Sequence, residues 1–193
     1  MISSDQLFFF ATNHGGGWHQ VEDKNYSGVS DGNNDEGDPF FYDETLFYYN
    51  TPGAISDDQL SGWINSIPFA RLVAVIEPCF GGGLLRDLKG SNRVIVSAST
   101  EFEFSWALPP SYQYNAFSYH FTAAVNGATH SGTPVDADSD NDGDVSILEA
   151  FLYATNADTQ PETPQYEDSG DGQSTAAPSV SGTDGGYGAT VGL

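Results

Sequence analysis

Cys79 and His14 are the residues whose types and surroundings suit covalent chemistry. Cys79, the chain's one cysteine, comes after the apolar run Leu72 to Glu77 (LVAVIE) and Pro78, and precedes Phe80 and Gly81-Gly82-Gly83. His14 comes after a similar run, Leu7 to Thr12 (LFFFAT), and precedes Gly15-Gly16-Gly17. A cysteine attacks as its thiolate, and a nearby imidazole can take up the proton, then return it to a leaving amine. Acyl transfer also needs backbone N–H groups aimed at the developing oxyanion. Glycine lets a substrate carbonyl approach the main chain closely, so the N–H groups of Gly15 and Cys79 are the natural donors. A lone cysteine after a β-branched strand is more often an inert buried residue, and a histidine before a glycine turn is more often a loop residue. Only the joint placement of the two points to a Cys/His dyad. His19, His120 and His130 lack the glycine context and read as loop residues, apart from His120 on a helix face.

The elements that must hold this pair read as alternating strands and helices. Leu7 to Thr12 and Leu72 to Glu77 are continuously apolar, as strands covered on both faces are. Ser56-Asp57-Asp58-Gln59 has the form of a capping box, and Leu60, Trp63, Ile64 and Ile67 follow at helical spacing. Leu84 to Leu88 predicts a short helix, and Arg93 to Ser97 (RVIVS) a further strand. Asn115 to Val125 predicts a helix with Phe117, Phe121 and Ala124 inward; Ser146 to Thr155 predicts another with Leu148, Phe151 and Leu152 inward. The expected fold class is α/β with a mostly parallel sheet, in which functional loops lie at the carboxyl ends of strands. His14 and Cys79 both fall there.

A second constellation lies in DSDNDGDVSILE, Asp138 to Glu149. It matches the twelve-position calcium loop, with Asp138, Asp140 and Asp142 at positions 1, 3 and 5 and Gly143 at the turn. Asp144 offers its carbonyl at position 7, Ser146 acts through water at position 9, and Glu149 supplies two oxygens at position 12. The competing reading is a solvated acidic turn capping the helix after Ser146. Gly127, Gly132 and Pro134 interrupt any entering helix, leaving a dockerin-like loop with an exit helix only. DGNNDEGD (Asp31 to Asp38) alternates oxygen ligands but lacks a suitably placed glutamate, and reads as a solvated loop.

Composition narrows the partners. The 193 residues carry a net charge of −22 with five Lys and Arg, so nothing can form a phosphate-binding stripe, and neither nucleic acid nor an anionic membrane is an expected partner. Hydrophobic residues at 38% support a packed core. Such acidity fits a high-salt habitat, an extracellular calcium-rich setting, or loops that hold cations. No run approaches a membrane span, and no cationic leader precedes an apolar segment, so neither a transmembrane helix nor a signal peptide is expected.

Taken together, ATNHGG (Ala11 to Gly16), a strand ending in EPCFGGG (Glu77 to Gly83) and a strand ending in SAST (Ser97 to Thr100) resemble the clan of caspase- and legumain-type cysteine peptidases. The legumain-like C13 peptidases carry strand–His-Gly and strand–Glu-x-Cys-x-Gly blocks in this order, and the likeness spans residues 5 to 125. It implies a caspase-like sheet flanked by helices, with His14 as general base, Cys79 as nucleophile, and Gly15 with Cys79 as oxyanion donors. Glu103-Phe104-Ser105-Trp106 resembles the stretch lining the primary specificity pocket, which places Ser105 and Trp106 at the substrate. Two departures stand out. Pro78 occupies a position where the family carries a small or polar residue. The family's first strand and helix have no counterpart here, which implies a sheet lacking its N-terminal strand and completed by a separate N-terminal segment.

The resulting division is a peptidase-like domain over residues 1–130, a calcium loop and helix over 131–157, and a Gly/Ser/Pro-rich segment over 158–193, within which ETPQ (Glu162 to Gln165) reads as an extended strap. The expected function is a calcium-binding cysteine endopeptidase acting on peptide or protein substrates. The alternative is a catalytically silent caspase-like module that binds a partner and is stabilised by calcium; a dockerin-like scaffold element is disfavoured by the single loop.

Overall fold

The computed structural model describes residues 5–17, 44–50, 52–180 and 182–193. The acidic stretch Asp31 to Asp38, and His19, lie outside the described residues. A four-stranded sheet forms the centre, in the order β1 (Gln6–Ala11), β5 (Arg71–Ile76), β6 (Arg93–Ser97), β7 (Gln165–Glu167). The first three strands are parallel and β7 runs antiparallel to β6. Residues 72 to 76 of β5 are fully buried, as an inner parallel strand requires.

Because side chains alternate across a sheet, β5 feeds two cores. Val73 and Val75 join Val94, Val96, Phe117, Phe121, Phe151 and Tyr166 under α3 (Ala116–Asn126) and α4 (Ile147–Ala157). Leu72, Ala74 and Ile76 join Ile95, Leu60, Ile64, Leu84 and Leu88 under α1 (Asp57–Asn65) and α2 (Leu84–Leu88). The molecule is therefore mixed α/β, with a mostly parallel sheet covered by helices on both faces. Ser56 caps α1, its hydroxyl accepting the Gln59 N–H at 3.3 Å.

Three expectations about faces change. Trp63 is 54% exposed, so α1 turns only Leu60 and Ile64 of its expected stripe inward. Leu152 is 41% exposed, and α4 buries Ile147, Ala150 and Ala154 alongside Leu148 and Phe151. Strand β1 is covered on one face only: Leu7, Phe9 and Ala11 pack into the second core, while Phe8 and Phe10 are exposed. Its LFFFA run looked like an inner strand because aromatic residues mask the two-residue alternation.

A small antiparallel sheet of β2 (Gly15–Gly16), β3 (Thr45–Phe47) and β4 (Ala54–Ser56) sits beside the main one. The composition of residues 158–193 suggests irregular chain, yet this segment supplies β7, buries Tyr166 completely, and returns Val191 and Gly192 to pair with the start of α4. Among the described residues, no helix is long and apolar enough to cross a membrane.

Candidate functional site

Strands β1 and β5 run side by side in a constant register from Gln6↔Arg71 to Ala11↔Ile76. Carrying that offset beyond the strand ends puts His14 opposite Cys79. The main chain confirms the approach: a Cβ on Gly15 would overlap the Cys79 carbonyl oxygen and come within 2.9 Å of Pro78 Cβ. Glycine is required here for space, not for a special φ. The same holds at Gly82, where a Cβ would meet Ser99 O at 2.8 Å and Glu101 N at 2.7 Å; the glycine triplet lets the turn after Cys79 lie flat on the SAST loop.

Both His14 and Cys79 are flanked by unusual backbone. Asn13 has φ 118 and Phe80 has φ 62, conformations that cost a residue bearing a Cβ and that collect where geometry is dictated by function. Phe80 is held by its N–H bond to Glu103 O at 2.8 Å and by an edge-on contact with the Phe104 ring at 5.2 Å.

Two N–H groups at this corner, those of Gly15 and Cys79, bear on the oxyanion expectation. Phe47 N–H donates to His14 O at 3.1 Å, which makes His14/Phe47 a hydrogen-bonded pair of the antiparallel ladder. Gly15/Leu46 is then the alternate, non-bonded pair, and the Gly15 N–H points out of the ladder. Cys79 N–H has no acceptor among the described residues. Pro78 is buried at the strand end without interrupting the β1–β5 or β5–β6 register.

The thiol is half-buried and its partners lie on Ser105. Ser105 N–H donates to Cys79 Sγ at 3.4 Å, while Ser105 O and Oγ lie at 3.8 and 3.7 Å from the sulfur. His14 is exposed, and among the described residues no hydrogen bond joins it to Cys79. The structure thus brings together His14, Gly15, Cys79 and Ser105. Trp106, 45% exposed, follows Ser105, with its N–H bonded to Glu162 at 2.6 Å.

Sequence reasoning assigned no role to a set of carboxyls beneath this loop. Glu77 is fully buried, accepting the Ser118 N–H at 2.9 Å on one oxygen, with the other unpartnered. Burial, offset in part by Ser118 and reinforced by Asp158, pushes it up to about 8. Glu162 is raised by burial and by the neighbouring Asp158 and Glu77. Burial lowers His120 on α3, and Asp158 partly opposes that. Glu77 and Glu162 were visible in EPC and ETPQ, but nothing in their spacing pointed to Asp158 or to each other.

The acidic loop folds locally. Asp138 accepts the N–H groups of Asp142 and Gly143 at 3.2 and 3.0 Å, Asp140 that of Asp142 at 3.1 Å, and Asp142 that of Asp144 at 2.9 Å. Gly143 has φ 100, the sharp turn a side chain would resist. Glu149 reaches across with one oxygen to Ser139 N–H at 2.7 Å and with the other to Ser146 N–H at 2.9 Å, completing a capping box on α4. Oxygens of Asp138, Asp140 and Glu149 lie within 4.8 Å of one another; Asp142 and the Asp144 side chain are not in that group. Burial opposes ionisation of Glu149, but the Ser146 and Ser139 hydrogen bonds outweigh it and bring it down to about 2. At Asp140 the Asp142 N–H favours the carboxylate, while desolvation and the charges of Asp142, Glu149 and Asp138 raise it overall. A preorganised, mutually repelling set of oxygens suits a hard divalent cation. In comparisons with known proteins, no family model and no curated protein matches this chain.

Proposed function

We propose that the chain is a calcium-binding cysteine endopeptidase of the legumain/caspase-like clan. The observation that carries this reading is the delivery of His14-Gly15 and Cys79 to one sheet end by adjacent parallel strands, with Gly15 packed on the Cys79 carbonyl. In this reading His14 takes the Cys79 proton as sulfur attacks the scissile carbonyl carbon. The N–H groups of Gly15 and Cys79 receive the oxyanion. The carbon–nitrogen bond breaks, the amine leaves with the proton from His14, and water hydrolyses the resulting thioester. Ser105 and Trp106 border the substrate. Asp138, Asp140 and Glu149, with Asp142 and the Asp144 carbonyl, would hold calcium, which supplies positive charge that ties the loop to α4 and stabilises the folded chain by mass action.

The test is hydrolysis of a peptide library in calcium by wild type and Cys79→Ala. Cleavage by wild type that falls on the order of a thousandfold in the variant supports the reading; equal rates remove it. The alternative, a silent partner-binding module, draws on one specific observation: the thiol's hydrogen bonds run to Ser105 and not to His14. Catalytic contacts commonly tighten only with substrate bound, which is why the enzyme reading is preferred.

A further inference from the structure

The segment that wraps Cys79 is fastened at both ends by the strap that follows α4. At one end, Phe80 N–H donates to Glu103 O, and the Glu103 carboxylate accepts the Thr163 hydroxyl at 3.2 Å. At the other, Trp106 is gripped from two sides: Ala116 N–H donates to its carbonyl at 2.8 Å, and its own N–H donates to Glu162 Oε2 at 2.6 Å. Ser105, the residue between these fastenings that meets the sulfur, has no other tether to the strap.

We propose that Glu162 is a positioning residue that fixes the Ser105–Trp106 backbone over the Cys79 thiol. This rests on the reading of Cys79 as a nucleophile. Glu162 Oε1 and Asp158 Oδ2 are both buried without a hydrogen-bond partner among the described residues, and burial with the neighbouring Asp158 holds the Glu162 carboxyl above the usual carboxylate range. Burial favours the protonated form of a carboxyl, so Glu162 sits in the strap as a neutral acid. Its Oε2 accepts the Trp106 N–H. The titratable groups around Glu162 are Asp158 after α4 and Glu77 just beyond β5, with His120 of α3 acting on Asp158 and Glu103 joined to the strap through Thr163. Ser105 N–H, held in place, is a donor to sulfur that favours the thiolate.

With a single cysteine, iodoacetamide alkylation reads Cys79 alone. Glu162→Met fills similar space but offers no acceptor to Trp106, whereas Glu162→Gln keeps that acceptor. The alkylation rate at pH 7 is expected to fall about fivefold in Glu162→Met, as the Ser105 donor is released, and to stay within about twofold of wild type in Glu162→Gln. Mere loosening would expose the thiol and raise the rate. Glu162→Met reacting at or above the wild-type rate, or Glu162→Gln reacting as slowly as Glu162→Met, overturns the proposal. Peptide hydrolysis by the wild type is scored separately. A chain that cleaves nothing yet keeps this order of rates loses the peptidase reading and retains the role of Glu162, while cleavage with an unchanged Glu162→Met rate does the reverse.

Discussion

The acidic loop and the Cys79 site are built in opposite ways. The hydrogen bonds to the loop's acidic side chains span ten residues or fewer, from Asp140–Asp142 to Ser139–Glu149, and only its exit is tied further away, by the Ile147 N–H to Val191 O. Those that shape the Cys79 site join residues 26, 41, 56 and 60 apart, in the Ser105–Cys79, Ser118–Glu77, Trp106–Glu162 and Thr163–Glu103 contacts. The loop is a local object whose geometry follows from spacing. The Cys79 site exists only once the sheet, α3 and the strap have assembled, so it is sensitive to substitutions far from it in sequence.

The sharpest way to break the contrast is Gly15→Ala. Its Cβ would overlap the Cys79 carbonyl, and a shift of even ~1 Å at a reacting centre can cost on the order of a hundredfold; peptide hydrolysis is expected to fall by that much while calcium titration is unchanged. The converse is Glu149→Gln, or Asp138→Ala. Each is expected to weaken calcium binding at least about tenfold by isothermal titration, and undiminished binding in both would refute the site. Ser146→Ala removes the cap on α4 and is expected to cost about 1 kcal/mol in urea unfolding, with no effect on Cys79 alkylation under native conditions.

A further expected effect is on pH dependence. Burial raises Glu77 from its ordinary 4.5 to about 8, so the folded state prefers the protonated acid. The associated stability is fully present below pH 4.5 and is lost as pH rises through about 8. Wild-type melting temperature should therefore fall over that window, and Glu77→Gln, which keeps an acceptor for Ser118, should remove part of the slope. An unaltered slope would mean that Glu77 does not carry it.

The contrast also accounts for what the sequence revealed. The loop was legible down to the clustering of Asp138, Asp140 and Glu149, because these residues and Gly143 are set by spacing. The inner strands and helices were legible from β-branched runs and helical spacing, and so was the placement of His14 and Cys79 at strand ends. Faces were less legible: Trp63, Leu152 and Phe10 are apolar yet exposed, because hydrophobicity does not say which side a neighbour covers. The strap was visible as ETPQ but its purpose was not. Glu162 finds Trp106 only through the antiparallel return of β7 onto β6, and no spacing in one chain encodes that meeting. The composition of the last residues pointed to irregular chain, whereas Tyr166 and Val191 anchor them in the core.

The central claim, that Cys79 is a nucleophile served by His14, is tested most directly by covalent trapping. Wild type and His14→Ala would be incubated in calcium with a peptidyl electrophile and the adduct mapped by mass spectrometry. The account predicts one adduct per chain, on Cys79, forming on the order of a hundredfold more slowly without the imidazole. No adduct on Cys79, or equal rates in the two proteins, would contradict it.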